Sequence, residues 1–168
     1  MVKRMRKESL QGDMKFISLL EKMGCTVSWE RDGRQNLWLK GPDGKLKGME
    51  VKMSDFSDQA LTLAAIAPFA DSEVTITGIA HIRGQESDRI KVIVDELAKM
   101  GILCNELPDG VKIHPGTPKN TNIETYNDHR VAMSFAVTGL AGDGMTILNP
   151  MCCKKTFAGF FDEIDRLE

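Results

Sequence analysis

The sequence predicts an α+β fold built from α/β-type repeats of one unit, strand–helix–strand–helix–strand–strand. Two stretches start with an aspartate at a helix start, Asp58 and Asp128, and each runs through an apolar helix, a strand and a second helix. In addition, the segment at residues 20–24 (LEKMG) returns at residues 97–101 (LAKMG), each time followed by two strands. Repetition at this scale indicates one supersecondary unit used several times.

The first elements follow from helical spacing and turn residues. Apolar side chains recur at helical spacing over residues 11–23, and Gly24 ends this predicted helix. Strands are predicted over residues 25–29 and 36–40, joined by a turn at residues 31–33 (RDG).

The later elements are predicted in the same way. An apolar helix covers residues 60–67, a strand covers 74–77, and a second helix opens at residues 86–89 (ESDR). Strands at 102–106 and 111–114 then flank a turn at residues 108–110 (PDG). The last part of the chain is predicted to hold a helix at 131–140, a strand at 145–148 and a final helix that follows residues 154–157 (KKTF).

The chain is therefore predicted to form a single, incomplete domain. A partial unit covers residues 1–48, a complete unit 49–115 and a last unit 116–168. The first unit begins only at the second helix of the repeat, and the last unit lacks the two strands that close the repeat. Since a domain that starts halfway through a repeat would leave a helix face without its partners, we interpret the chain as a fragment of a longer protein or as one half of a split protein.

Composition excludes several classes of function. With 168 residues, 42% hydrophobic and 27% charged, the chain has the make-up of an ordinary globular domain. A net charge of −2 disfavours a nucleic-acid surface, and no apolar stretch is long enough for a membrane span. The four cysteines lack metal-binding spacing, so no metal site is expected, and a reducing cytoplasm is the natural location.

Asp58 allows two interpretations. It stands at the start of an apolar helix, where aspartate commonly caps the free N–H groups. It could instead serve as a general base in a cleft, which requires a nearby hydroxyl substrate and a suitable pKa. The residues alone leave both open.

Three cations stand at predicted helix starts, where negative side chains are normally favoured. Arg89 follows Glu86 in the ESDR segment, Arg130 follows His129 in the segment at residues 127–130 (NDHR), and Lys155 lies in the KKTF segment. Each could be a solvated surface charge. Together they predict a site for a small, highly charged anion such as a phosphorylated carboxylic acid.

These segments resemble the C-terminal part of the 5-enolpyruvylshikimate-3-phosphate (EPSP) synthase family of enolpyruvyl transferases. The similarity is carried in family order by residues 9–13 (SLQGD), 53–58 (MSDFSD), 83–89 (RGQESDR), 126–133 (YNDHRVAM) and 152–157 (CCKKTF). It implies βαβαββ units around a pseudo-threefold axis, an inside-out α/β barrel with the helices buried.

The resemblance also implies an activity. Members of the family move the enolpyruvyl group of phosphoenolpyruvate onto the 5-hydroxyl of shikimate 3-phosphate and release phosphate, without a metal or organic cofactor. The two substrates lie between two domains, so the missing N-terminal domain or chain is an expected partner, and the isolated fragment is expected to have little or no turnover.

Site residues carry over one by one from the resemblance. Asp58 matches the residue that takes the proton of the shikimate hydroxyl, and Glu86 matches the residue thought to exchange a proton with the phosphoenolpyruvate methylene carbon. The matching phosphoenolpyruvate-binding cations are Arg89, Arg130 and Lys155, with His129 beside them.

Two departures from the family pattern are visible. Gln85 replaces a common substrate-binding lysine, and His81 replaces a common asparagine. Two alternatives to the synthase remain open. The chain could be a non-catalytic binding or assembly module, or a fragment of UDP-N-acetylglucosamine enolpyruvyl transferase.

Overall fold

The computed structural model describes residues 1–3, 5–30 and 36–167. The turn predicted at residues 31–33 lies outside the described residues. Within the described ranges, no helix has the length and apolar character needed to cross a membrane.

The first elements are helix α1 (Met14–Lys22) and the antiparallel strands β1 (Thr26–Trp29) and β2 (Leu37–Lys40). Gly24 adopts φ +102°, which a residue with a side chain rarely tolerates. Its N–H bonds the carbonyl of Glu21, and the N–H of Cys25 bonds that of Leu20. This is a Schellman cap, and it explains why glycine ends the LEKMG segment.

The same cap ends the second copy of the segment. Gly101 has φ +77°, its N–H bonds the Ala98 carbonyl, and the Ile102 N–H bonds the Leu97 carbonyl. Met23 and Met100, the residues before the two glycines, are both fully buried. The repeat seen in the sequence is therefore a repeated helix ending.

The central part forms a four-stranded sheet in the order β3-β4-β6-β5. Its strands are β3 (Met49–Lys52), β4 (Val74–Thr77), β5 (Cys104–Leu107) and β6 (Gly110–Ile113). β3 is parallel to β4, whereas β6 is antiparallel to both β4 and β5. With α2 (Ala60–Ile66) after β3 and α3 (Arg89–Lys99) after β4, the element order is the one predicted for a complete unit. The exact division of the chain into three units remains a prediction.

The last part of the chain contains the short parallel strands β7 (Asn122–Ile123) and β8 (Thr146–Ile147) and three helices. These helices are α4 (His129–Ala141), α5 (Lys154–Phe157) and α6 (Phe160–Asp165). The 3₁₀ turn Pro150–Cys153 leads directly into α5.

Several predicted boundaries were displaced for local reasons. The helix expected to open at residues 86–89 begins only at Arg89, because the Asp88 side chain caps it by accepting from the Lys91 N–H at 3.1 Å. Pro68 lies in the 3₁₀ turn Ala67–Phe69 that follows α2, which therefore ends at Ile66. α4 starts at His129, two residues earlier than predicted, because Asp128 caps it.

The core centres on α2 and α4, which pack against each other. The alanines Ala60, Ala64 and Ala65 of α2 are fully buried. The Thr138 hydroxyl of α4 donates to the Ala65 carbonyl at 2.8 Å. Because helices that are apolar on most faces are stable only when surrounded by protein, burial of these two helices sets the positions of their N-terminal ends, where the candidate site lies.

Candidate active site

The site lies where three segments meet: the 3₁₀ turn Ser57–Gln59 before α2, the start of α3 and the start of α4. Each start carries one of the residues singled out in the sequence, namely Asp58, Arg89 and Arg130. The structure brings these three into one ion-pair network.

Arg89 is the centre of this network, with only 2% of its surface exposed. Its Nε donates to Asp128 Oδ2 at 2.8 Å, and its Nη2 donates to Glu86 Oε2 at 2.9 Å. Its Nη1 lies 3.6 Å from Asp58 Oδ1 and also contacts the Gln85 amide oxygen. A buried guanidinium is stable only when its charge is paired, so Arg89 is not the open anion receptor that the sequence alone had predicted.

Asp128 joins the network to the backbone of α4. It is fully buried, and its carboxylate accepts from the Arg130 N–H at 2.9 Å as the helix cap and from the Ser87 hydroxyl at 3.0 Å. Burial alone would raise the pKa of Asp128, but the hydrogen bonds and charge of Arg89 hold this pKa below its ordinary value. The carboxylate is therefore ionised at neutral pH.

The structure excludes one of the two interpretations of Asp58. The side chain makes no helix-capping bond, so the capping interpretation is wrong. Its Oδ2 accepts instead from Arg130 Nη2 at 2.9 Å, and its backbone carbonyl faces Arg130 Nη1 at 3.3 Å. Nearly half of the Asp58 side chain is exposed, so a substrate could reach it.

His129 is mostly buried beside this cluster. Burial, reinforced by the nearby charges of Arg130 and Lys155, lowers the pKa of His129 in spite of Asp128. Within the described part of the chain, its Nδ1 has no hydrogen-bond partner and lies 3.9 Å from Asp128 Oδ1. The imidazole is therefore neutral at pH 7 and offers hydrogen bonding without charge.

Lys155 lies close enough to His129 for its charge to act on the imidazole. It is exposed, in the four-residue helix α5. The sequence had treated this helix start like the other two, but a single turn has little macrodipole. Lys155 therefore adds an exposed positive charge at the edge of the cluster.

Some charged residues of the same segments point elsewhere. Arg83 donates to Glu106 at 2.5 Å and to Asp88 at 3.2 Å, which takes it away from the network. Sequence reasoning gave no role to Ser87, which holds Asp128. It noted His81 as a departure from the family pattern, and His81 Nε2 lies 2.8 Å from the Ser57 hydroxyl next to Asp58. Only the position of Ser87 inside the ESDR segment could have drawn attention to it.

The charges of the cluster nearly balance. The carboxylates of Asp58, Glu86 and Asp128 lie at Arg89, and Asp58 also pairs with Arg130. An anion that binds at Arg130 must therefore displace Asp58, which is half-exposed.

Comparison with known proteins places the chain among relatives of one family. The family model of EPSP synthase (3-phosphoshikimate 1-carboxyvinyltransferase) matches residues 1–164. The chain is 47% identical over 160 residues to the 3-phosphoshikimate 1-carboxyvinyltransferase of Nostoc punctiforme, covering 95% of this chain and 37% of the relative. It is 45% identical to 3-phosphoshikimate 1-carboxyvinyltransferase 2 of Halalkalibacterium halodurans, covering 94% of this chain and 35% of the relative. The chain thus spans little more than a third of the length of these relatives.

Solved structures confirm the predicted fold class. EPSP synthase from Acinetobacter baumannii superposes with a TM-score of 0.79 at 29% identity, covering 89% of this chain and 38% of the other. The enolpyruvyl transferase NikO from Streptomyces tendae gives a TM-score of 0.70 at 20% identity, covering 90% and 34%, which shows a shared fold alone. The sequence matches also favour the shikimate family over the UDP-N-acetylglucosamine enolpyruvyl transferase. The chain belongs to the EPSP synthase (3-phosphoshikimate 1-carboxyvinyltransferase) family.

Proposed function

We propose that this chain supplies the C-terminal part of an EPSP synthase active site. The complete site would transfer the enolpyruvyl group of phosphoenolpyruvate to the 5-hydroxyl of shikimate 3-phosphate and release phosphate. The missing N-terminal domain or chain would supply the rest, in keeping with the third of its relatives' length that this chain spans. The observation that carries the proposal is that Asp58 and Glu86 approach the same guanidinium, that of Arg89.

The cations would bind phosphoenolpyruvate, which carries a carboxylate and a phosphate. Arg130 is the best placed, because it is partly exposed and its present partner Asp58 also reaches solvent. A substrate anion that replaces Asp58 at Arg130 would leave the Asp58 carboxylate free to accept a proton. Binding of one substrate would thereby prepare the base for the other.

The chemistry then divides between two carboxyl groups. Asp58 takes the proton of the 5-hydroxyl as that oxygen attacks C2 of phosphoenolpyruvate, while Glu86 gives a proton to C3. This forms a tetrahedral adduct. Glu86 recovers a proton from C3 as the bond between C2 and the phosphate oxygen breaks, and Asp58 returns its proton to the departing phosphate, which is held by Arg130 and Lys155.

Two further residues would shape the site. Neutral His129 would offer a hydrogen bond beside the phosphate without competing for protons at neutral pH. Gln85, in contact with Arg89, would lie near the shikimate hydroxyl, where a lysine is the common residue in the family. Without the other domain, half a cleft neither excludes water nor positions both substrates, so the isolated chain is expected to have little turnover.

Binding of phosphoenolpyruvate to the isolated chain tests the proposal. By titration calorimetry, Arg130→Gln should weaken binding at least about tenfold, which corresponds to about 1.4 kcal/mol. Arg166→Gln is the matched control, because Arg166 is exposed and, among the described residues, forms an ion pair with Glu163 of the preceding helix α6. Equal affinities for Arg130→Gln and the unsubstituted chain would overturn the assignment of the anion site.

A second candidate function is assembly without catalysis. A groove of about 350 Å³ lies between α4, β8 and α6, lined by apolar residues that include Leu140, Ile147 and Phe161. Such a groove can accept a partner or a second copy of the chain. Light scattering discriminates: concentration-dependent association that buries this groove favours assembly, and a monomer across the accessible range opposes it.

A further inference from the structure

Two adjacent cysteines lie beside the candidate site and have no part in the proposed reaction. Cys152 and Cys153 close the 3₁₀ turn Pro150–Cys153 and directly precede the helix that carries Lys155. Both are free thiols.

The two thiols differ in their surroundings. Cys153 is 2% exposed, and its Sγ donates to the backbone carbonyl of His129 at 3.7 Å. Burial, with a further contribution from Cys152, raises the pKa of Cys153 to about 12. Cys152 is only half-buried. A dissolved reagent therefore meets Cys152 first, and the thiol of the adjacent residue, Cys153, is more deeply buried.

We propose that Cys152 and Cys153 form a modification site for low-molecular-weight disulfides, which convert the pair reversibly into a disulfide between adjacent residues. The Cys152 thiolate attacks one sulfur of the reagent, a mixed disulfide forms, and the first small thiolate leaves. The Cys153 thiol then loses its proton and attacks Cys152 Sγ, which releases the second small thiol. The protein loses two electrons and two protons, and one small disulfide becomes two thiols.

Chain geometry makes this disulfide labile. Consecutive Cα atoms lie about 3.8 Å apart, whereas the Cα atoms of an ordinary disulfide are about 4.4–6.8 Å apart. The bond therefore forms under strain and is readily reduced, as expected for a regulatory disulfide rather than a structural one. Ring closure also requires the 3₁₀ turn to open and withdraws Cys153 Sγ from the His129 carbonyl.

This withdrawal acts on two residues of the candidate site. The His129 carbonyl lies in the first turn of α4, next to Arg130, and Lys155 lies two residues beyond Cys153. Oxidation should therefore weaken anion binding severalfold. This consequence rests on the proposed function, whereas the modification itself does not.

The test is incubation of the full chain with glutathione disulfide, followed by an acid quench, alkylation and mass analysis of non-reduced peptides. In the unsubstituted chain, the peptide with both cysteines should lose two hydrogens and should regain them with dithiothreitol. Cys153→Ser should stop at a glutathione adduct on Cys152, and Cys152→Ser should remain unmodified there because Cys153 is buried. Cys104→Ser, at a half-buried cysteine elsewhere, is the matched control and should react as the unsubstituted chain does.

A stable glutathione adduct on Cys152 of the unsubstituted chain, or two free thiols after prolonged exposure, would overturn the proposal. Phosphoenolpyruvate affinity of the reduced and oxidised chains is measured separately. Equal affinities would overturn only the coupling to the anion site. If the reduced chain binds no phosphoenolpyruvate, the proposed function fails and the modification site still stands on the peptide masses.

Discussion

Breaking the buried ion pair between Arg89 and Asp128 from one side is predicted to destabilise the chain, because it leaves the buried Arg89 charge without its partner, and Asp128→Asn tests this. The asparagine oxygen can still cap α4, since asparagine caps as well as aspartate does. Its amide NH₂ then replaces the oxygen that accepts from Arg89 Nε and the Ser87 hydroxyl, so the substitution removes the charge together with these two hydrogen bonds. Breaking a buried pair from one side costs about 3–5 kcal/mol. We expect about 3 kcal/mol, at the low end of that range, because Glu86 and Asp58 still neutralise part of the Arg89 charge.

The assay is urea unfolding followed by circular dichroism at pH 7. With a slope of about 2 kcal/mol per molar urea, the midpoint should fall by about 1.5 M. Asp43→Asn is the matched control, because Asp43 forms an exposed pair with Lys40 and should cost less than about 0.5 kcal/mol. A midpoint for Asp128→Asn that matches the control would refute the reasoning.

The same ion pair should also make the free energy of unfolding depend on pH under acidic conditions. The pKa of Asp128 is lowered in the folded chain, so its stabilising contribution is complete above the unfolded value of about 3.9. It is lost as the pH falls through the folded value. The unsubstituted chain should therefore lose its advantage over Asp128→Asn below about pH 4, and a difference in stability that stays constant down to pH 2 would contradict this.

Three further predictions follow from the structure. Because the pKa of His129 is lowered on folding, the free energy of unfolding should fall as the pH drops below about 6.5. In His129→Gln this part of the pH dependence should be absent. An imidazole of His129 that titrates by NMR at or above its ordinary pKa would contradict the prediction. Gln85→Lys removes an acceptor from Arg89 and adds a cation beside it, so it should lower the urea-derived stability by about 1 kcal/mol; an unchanged unfolding midpoint would contradict this. At Gly110, an added Cβ would lie 1.8 Å from the Ile76 carbonyl oxygen, so Gly110→Ala should cost about 1–3 kcal/mol, with Gly44→Ala, in open space, as the unaffected control.

The elements themselves were largely predictable because they depend on local patterns. The two glycines that end the LEKMG and LAKMG segments adopt positive φ, and α4 is largely apolar after its first turn, so neighbouring residues were enough to indicate them. The pairing of Val2 with Leu37 through two backbone hydrogen bonds of 2.8 Å was not predicted. The basic stretch around Val2 has no strand-like alternation, and its partner is 35 positions further on.

The proximity of Asp58, Arg89 and Arg130 was predictable from the sequence, whereas their ion pairing was not, and their roles in a site remain a prediction. Helix-start cations and the family resemblance named Asp58, Arg89 and Arg130, and all three lie together. The ion pairs join residues that are far apart in the sequence. Arg89 and Asp128 are separated by 39 positions, and Arg130 and Asp58 by 72. No local pattern indicates pairs at such sequence separations. The sequence analysis therefore predicted that Arg89 is open to ligands, although its donors are bound by carboxylates.

The most direct test of the central claim is phosphate release from phosphoenolpyruvate and shikimate 3-phosphate. It should be measured with the chain alone, with a separately produced N-terminal part of a family member, and with the two combined. We expect release only in the mixture, and its loss when this chain carries Asp58→Asn but not when it carries Arg166→Gln. Absence of release in a mixture whose two parts are shown to bind each other, or full release with Asp58→Asn, would contradict the claim that this chain supplies the catalytic carboxylates.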